Sequence, residues 1–339
     1  MPLPTSSVFL DTQVFRQAYF RYDSERFKAL LKHVEAGRVQ VLLTDITIRE
    51  VYANIRKAVQ EAADAHRSFL RKGRILQNSK LEATKALLTQ LDAQTTEEEL
   101  IAQFDRFVQR SKALILPVPE DYLSTIVDRY FGRKPPFGCG KNKAEFPDAF
   151  VLEALLGHVR ETRDDLSAIT RDGGFCDACE AGKDIYAFKS LDKYLDAVAS
   201  EDKRSDFLRD SLRWRTDRIM QSVHKEFEKL GFYVRNEAAR VREIRVTKIS
   251  MDDSLNILSL FDDVALVNQE ATIYYSTVVD YEEPRADLVT STTFHGEETR
   301  TVLIMIATDY KKTGRFQVEV VTFDDSRDVA IILPPGQTR

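Results

Sequence analysis

Asp11, Glu50, Asp148 and Asp172 are the side chains of this sequence best placed to do chemistry. Asp11 directly follows the apolar run Val8-Phe9-Leu10, and Asp172 follows Leu166 to Thr170 by one residue. Glu50 stands about one helical turn beyond Val41-Leu42-Leu43, and Asp148 opens a helical stretch behind Pro147. In an open parallel sheet, ligands gather outside the carboxyl ends of the strands. Four acids from four separate elements are therefore expected to meet at one end of one sheet. Like charges held that close raise one another's pKa and cost stability. A divalent cation removes the cost, and Mg²⁺ or Mn²⁺, which prefer oxygen ligands, suit such a set. Two such ions about 3.5–4 Å apart can stabilise both the attacking and the leaving oxygen of an in-line phosphoryl displacement. The chemistry expected is hydrolysis of a phosphodiester by metal-activated water.

Each acid also has a plainer role open to it. Asp11 can simply end a strand. Glu50 has the spacing of a capping box with Thr47, Asp148 can answer a helix dipole from the first turn, and Asp172-Gly173-Gly174 is a turn sequence. It is the joint placement of the four that points to a site.

The elements that must position them are legible as apolar runs alternating with helical patterns. Strands are expected at Val8–Leu10, Val39–Leu43, Ala113–Pro117, Asp165–Thr170 and Ile185–Phe188. Helices are expected over 24–36, through most of 50–112 with breaks at Gly73 and Asn78-Ser79, and again from Pro147. Glu97-Glu98-Glu99 is expected in the first turn of the later helix of the 50–112 stretch. Strand–helix alternation of this kind predicts a parallel sheet wrapped by helices. From Leu191 to Glu228 the pattern is helical and heavily charged. Beyond Ile244 runs rich in Val, Ile, Thr and Tyr (264–280, 300–309, 316–323 and 329–333), separated by turn signals such as Glu283-Pro284, His295-Gly296 and Thr313-Gly314, predict an antiparallel sheet.

The series Val8-Phe9-Leu10-Asp11-Thr12, Glu50, Phe146-Pro147-Asp148-Ala149-Phe150 and Ile169-Thr170-Arg171-Asp172-Gly173-Gly174-Phe175 resembles the PIN-domain nuclease family, nearest to its bacterial branch with a long helical insertion after the second strand. The likeness covers about residues 7–198. It implies a three-layer α/β/α fold and metal-dependent cleavage of RNA or, less often, DNA. It also implies that Asp11, Glu50, Asp148 and Asp172 are the catalytic and metal-binding acids, with Thr12 as the small polar residue after the first acid and Thr170 as the hydroxyl before the last. Gln13 departs from the Asn or Ser of many members, and Asp177 could be the further acid some carry. The helical stretch after Glu50 exceeds that of compact members and is expected to build a wall or arm beside the cleft.

Arg133, Lys134, Lys141 and Lys143 sit in a Gly/Pro-rich loop before Asp148, with Phe137 and Phe146 interleaved. Flexible cations beside a cleft can grip phosphates, and aromatics can stack an unpaired base. Arg171 can touch the scissile phosphate or temper the acid cluster. Cys176-Asp177-Ala178-Cys179 has metal or redox spacing, but no histidine pair completes a zinc site. No phosphate-binding loop of the Gly-x4-Gly-Lys-Ser/Thr type is present.

Composition sets outer bounds. The chain has 339 residues, 30% of them charged and 43% apolar, the balance of a folded protein that exceeds one typical domain. The net charge of −5 excludes a broad electrostatic footprint for nucleic acid, so any polyanion contact must be local. Residues 251–300 hold 2 basic against 11 acidic side chains, a face that suits a basic protein partner or a second copy better than RNA. Three cysteines cannot build a disulfide framework, and neither a membrane span nor a basic-then-apolar leader is visible, so a cytoplasmic location is expected. The organisation expected is a PIN-like nuclease domain over 1–198, a helical connector over 199–243 and a β-rich accessory module over 244–339. The expected function is a Mg²⁺- or Mn²⁺-dependent endoribonuclease that favours RNA over DNA. A DNA-directed defence nuclease and a non-catalytic binding scaffold are the alternatives.

Overall fold

Near-continuous apolar runs such as Val8-Phe9-Leu10 and Val41-Leu42-Leu43 are the composition of strands covered on both faces, and all six of these side chains are buried. They belong to a five-stranded sheet: β1 (Ser7–Leu10), β2 (Gln40–Thr44), β3 (Leu114–Leu116), β4 (Leu166–Ile169) and β5 (Ile185–Phe188). The structure is a computed structural model that describes residues 5–118, 120–137, 145–182, 184–234, 239–261, 263–282, 289–309, 315–325 and 327–331. It divides into two units, residues 3–194 and residues 195–339.

In the first unit every strand pairing is parallel and the order is β3-β2-β1-β4-β5. Helices α1 (Thr12–Gln17), α2 (Glu25–Glu35), α3 (Asp45–Lys72), α4 (Glu82–Leu87), α5 (Ala93–Arg110), α6 (Leu123–Phe131), α7 (Phe146–Thr162) and α8 (Gly173–Gly182) connect and cover the strands, and α9 (Leu191–Ser200) runs across the boundary between the units. The strand order reverses between β1 and β4, which makes their carboxyl ends the crevice of the sheet. Leu10 pairs with Ile169 across it, so the residues that follow, Asp11 and Thr170, emerge side by side.

The long insertion is anchored at one end only. On α3 the buried residues Thr47, Val51, Ile55, Val59 and Ala63 form one stripe at four-residue steps, and no residue of α3 beyond Ala63 is buried. The chain returns through α5, whose Phe104 and Phe107 pack at 5.0–5.7 Å against Phe15, Tyr22 and Phe27. This aromatic cluster ties the insertion to α1 and α2. Glu97–Glu99 do not occupy the first turn of α5, because the helix starts at Ala93 with Asp92 as its cap, accepting from the Thr95 amide at 3.1 Å.

In the second unit β7 (Ala239–Met251), β9 (Val264–Glu282), β10 (Val289–Asp309) and β11 (Arg315–Phe323) pair antiparallel in the order β11-β10-β9-β7, with β8 (Asn256–Leu260) also on β9. The short strands β6 (Phe232–Val234) and β12 (Val329–Ile331) pair in parallel apart from it. Helices α10 (Arg204–Arg213) and α11 (Thr216–Phe227), within the stretch expected as a connector, contribute Leu208, Leu212, Ile219, Val223 and Phe227 to this core.

His295-Gly296, expected as a turn, lies mid-strand in β10 opposite Ser276 and Tyr275 of β9. The glycine is there for room: a Cβ on Gly296 would stand 2.6 Å from the Tyr275 ring carbon Cζ. Tyr275 is itself buried against Phe227 at 5.6 Å and Phe232 at 6.3 Å. Gly296→Ala is expected to displace the ring and cost about 1–3 kcal/mol, read as a lower midpoint in denaturant at unchanged slope.

Candidate active site

Asp11 leaves β1 as the residue before α1, where the first amides of the helix, Gln13 and Thr12, help to lower its pKa. Its Oδ2 accepts from the Thr170 hydroxyl at 2.7 Å. Thr170, the residue after β4, also accepts from the Asp172 amide at 3.1 Å and so links the two acids through one buried hydroxyl. Asp172 keeps its turn role: Oδ1 accepts from the Phe175 amide at 2.8 Å and caps α8.

Glu50 has no capping role. The cap of α3 is Thr44, whose hydroxyl accepts from the Thr47 amide at 3.1 Å. The Glu50 carboxylate turns instead to Thr12, whose buried hydroxyl donates to Oε2 at 2.7 Å. Asp148 lies in the first turn of α7, which has Pro147 at its start. Pro136, beyond α6, packs closely against the start of α8: a Cβ on Gly174 would stand 2.7 Å from the Pro136 carbonyl oxygen, an approach only glycine permits.

The electrostatics show that the acids share one space. Burial first, then the charges of Asp172, Asp11, Glu50 and Glu145, push the Asp148 carboxyl up to about 7. Burial also raises Asp11, assisted by Glu50 and opposed by the hydrogen bonds from Thr170 and the backbone. The four acids expected from the sequence thus face one crevice at the β1–β4 reversal, with Glu145 as a fifth negative charge. Sequence reading passed over Glu145, although its place three residues before Asp148 was the available signal.

A protein-family model described as a PIN domain matches residues 8–175. The chain belongs to the PIN-domain family. Its parallel sheet with flanking helices is the PIN fold, a nuclease-type fold whose members generally act on nucleic acid. No curated protein and no solved structure matches the chain. Among the described residues no helix is long and apolar enough to cross a membrane.

The other expected contacts of the PIN domain divide. Thr12 and Thr170 sit inside the acid network. Arg171 is exposed and its Nε donates to the Lys189 carbonyl at 3.0 Å. Lys141 and Lys143 lie outside the described residues, as does Cys139. Phe137 cannot stack a base, because it is 1% exposed and packs with Phe146 at 5.1 Å and Tyr130 at 5.5 Å, beside Ile126 and Ala149. An aromatic next to basic residues in sequence serves here as a core side chain. Asp177 is exposed on α8. Cys179 is buried, and its thiol is pushed up to about 12 by that burial.

Does the PIN site suit a metal? Among the described residues no three acidic, histidine or cysteine side chains form a ready-made chelating group. The donors that converge among the described residues are carboxylate and hydroxyl oxygens. That set fits a hard, partly hydrated divalent ion, which takes one or two carboxylates and keeps several waters.

Proposed function

We propose that this PIN domain is a Mg²⁺- or Mn²⁺-dependent endoribonuclease that hydrolyses single-stranded RNA. The observation that carries the reading is the cluster of Asp11, Glu50, Asp148 and Asp172 at the sheet's reversal point, joined through the Thr12 and Thr170 hydroxyls, with Asp148 pushed up to about 7 by burial and by the neighbouring acids. Asp11, Asp148 and Asp172 would hold the ion, and Glu50 would be a ligand or orient the attacking water. A divalent cation bound there would supply Lewis acidity and an activated nucleophile at neutral pH. Thr12 fixes the Glu50 carboxylate and Thr170 fixes that of Asp11, so neither acid must reorganise when substrate arrives. Direct attack by water leaves 5′-phosphate and 3′-hydroxyl ends. The β-rich second unit, with its acidic stretch, is a module for a basic protein partner or for self-association.

Labelled single-stranded RNA and DNA of one sequence, incubated with Mn²⁺ with and without chelator, test this. RNA is expected to be cut, and chelator to stop it. Asp172→Asn should lower the rate by at least about 100-fold, more than the loss of an outer-sphere partner costs. Asn is a good helix cap, so this variant keeps α8 and removes the charge. Preference for DNA would favour the defence-nuclease alternative. Indifference of both substrates to metal and to the variant would leave a binding scaffold.

A further inference from the structure

Beyond the acid cluster, α1 and α3 run on side by side and open a cavity of about 420 Å³ lined by Arg16, Tyr19, Phe20, Asn54, Lys57 and Glu61, with Leu100 of α5 at its far side. That volume falls within the range of small-ligand pockets. It begins one helical turn from the site, since Arg16 follows Thr12 by four residues and Asn54 follows Glu50 by four, with its side chain bonded to the Glu50 carbonyl at 2.8 Å. Among the described residues the Arg16 side chain has no hydrogen-bond or ion-pair partner. Lys57 is exposed, 3.9 Å from Glu61. Arg16 has a plainer role as a cation in the last turn of α1. That role explains neither the cavity nor its aromatic rim.

Tyr19 and Phe20 both adopt left-handed backbone, with φ of 50° and 56°. Side-chain-bearing residues rarely take that conformation. It is held by bonds from the Tyr19 amide to the Arg16 carbonyl at 3.0 Å and from the Phe20 amide to the Phe15 carbonyl at 2.9 Å. The turn leaves Tyr19 73% exposed at the pocket. An exposed ring beside two cations, one turn from a phosphodiester-cleaving site, is complementary to a nucleotide: the ring offers a stacking face and the cations meet phosphate. Asn54 and Glu61 supply donors and acceptors for a base edge.

We propose that this cavity is a subsite for an unpaired RNA nucleotide flanking the scissile phosphate, its base stacked on Tyr19 and its phosphate met by Arg16 and Lys57. The proposal rests on the nuclease reading for its choice of ligand. Its test does not depend on cleavage. Binding of a fluorescent 12-nucleotide single-stranded RNA to the full-length protein is measured by anisotropy in chelator, where no cutting occurs. Tyr19→Ala should weaken binding roughly tenfold and Tyr19→Phe should restore it, as stacking requires. Arg16→Gln should lower the slope of log affinity against log salt by about 0.7. RNA carrying 5-iodouridine should photocrosslink to Tyr19. The exposed positions should leave the melting temperature unchanged, which separates binding from folding. Wild-type affinity in Tyr19→Ala, no measurable RNA binding, or a Tyr19 dependence confined to DNA of the same sequence would each overturn the proposal. Cleavage by the unaltered protein with Mn²⁺ reports separately on the acid cluster, so the failure of one reading is distinguishable from the failure of the other.

Discussion

Asp148→Asn is expected to raise the melting temperature of the metal-free protein at pH 7.5 while removing its RNA cleavage. The two effects have one cause. The Asp148 carboxyl titrates near 7 in the folded chain against 3.8 in the open one, because burial and four neighbouring acids disfavour its charge. The folded state therefore holds a proton that the unfolded state releases, and stability falls as pH rises from about 4 to about 7. Above 7 both states are ionised and the loss is complete. Taken in full, a displacement from 3.8 to about 7 is worth about 4 kcal/mol. Solvent reaching the half-buried group screens that to about 2 kcal/mol. For a domain of this size the gain in the variant is about 4–8 °C.

Thermal unfolding in chelator from pH 4 to pH 8 measures it. The wild-type midpoint should fall away from that of Asp148→Asn as pH rises, the two meeting near pH 4. Mn²⁺ should then stabilise the wild type more than the variant, because an ion that binds only the folded state raises its stability. Parallel curves for the two proteins across that range would remove the basis for a strained acid cluster.

Arg129→Ala is expected to destabilise the first unit by about 3–5 kcal/mol. Glu153 on α7 is 1% exposed, and the Arg129 Nε donates to it at 2.7 Å, with Arg160 at 3.7 Å on its other oxygen. Removing Arg129 strands a carboxylate in the core beside a cation that is itself half in water. It also breaks the bond from Arg129 to the Pro135 carbonyl at 3.1 Å, next to Pro136, whose carbonyl oxygen approaches Gly174. RNA cleavage should fall with stability. Replacing both partners, Arg129→Met with Glu153→Leu, should recover most of the stability, since an apolar pair of similar size needs no compensation. Urea unfolding of the two variants decides it. A single variant within 0.5 kcal/mol of wild type would show that the pair is not needed.

Much of the fold was legible because it is written in local patterns. The five strands of the first unit are apolar runs bounded by polar residues, and the structure places them within a residue or two of those bounds. The acids at their ends were legible for the same reason. Local patterns also misled where one residue type serves two purposes. Glycine in His295-Gly296 reads as a turn, yet it makes room for the Tyr275 ring from the neighbouring strand. Phe137 among basic residues reads as a stacking group, yet it fills a small core under α6 and α7. The charged helices of 204–227 read as a connector, yet one apolar stripe on each is core.

Sequence by itself determined the element types, the apolar faces and the inventory of carboxylates, because hydropathy period and capping chemistry act between near neighbours in the chain. Only the tertiary structure decided that Thr170 lies against Asp11, Thr12 against Glu50, and Arg16 and Tyr19 beside Asn54. Those pairings follow from strand order and helix packing, which join residues 38 and 159 positions apart and leave no mark on the local pattern of either partner.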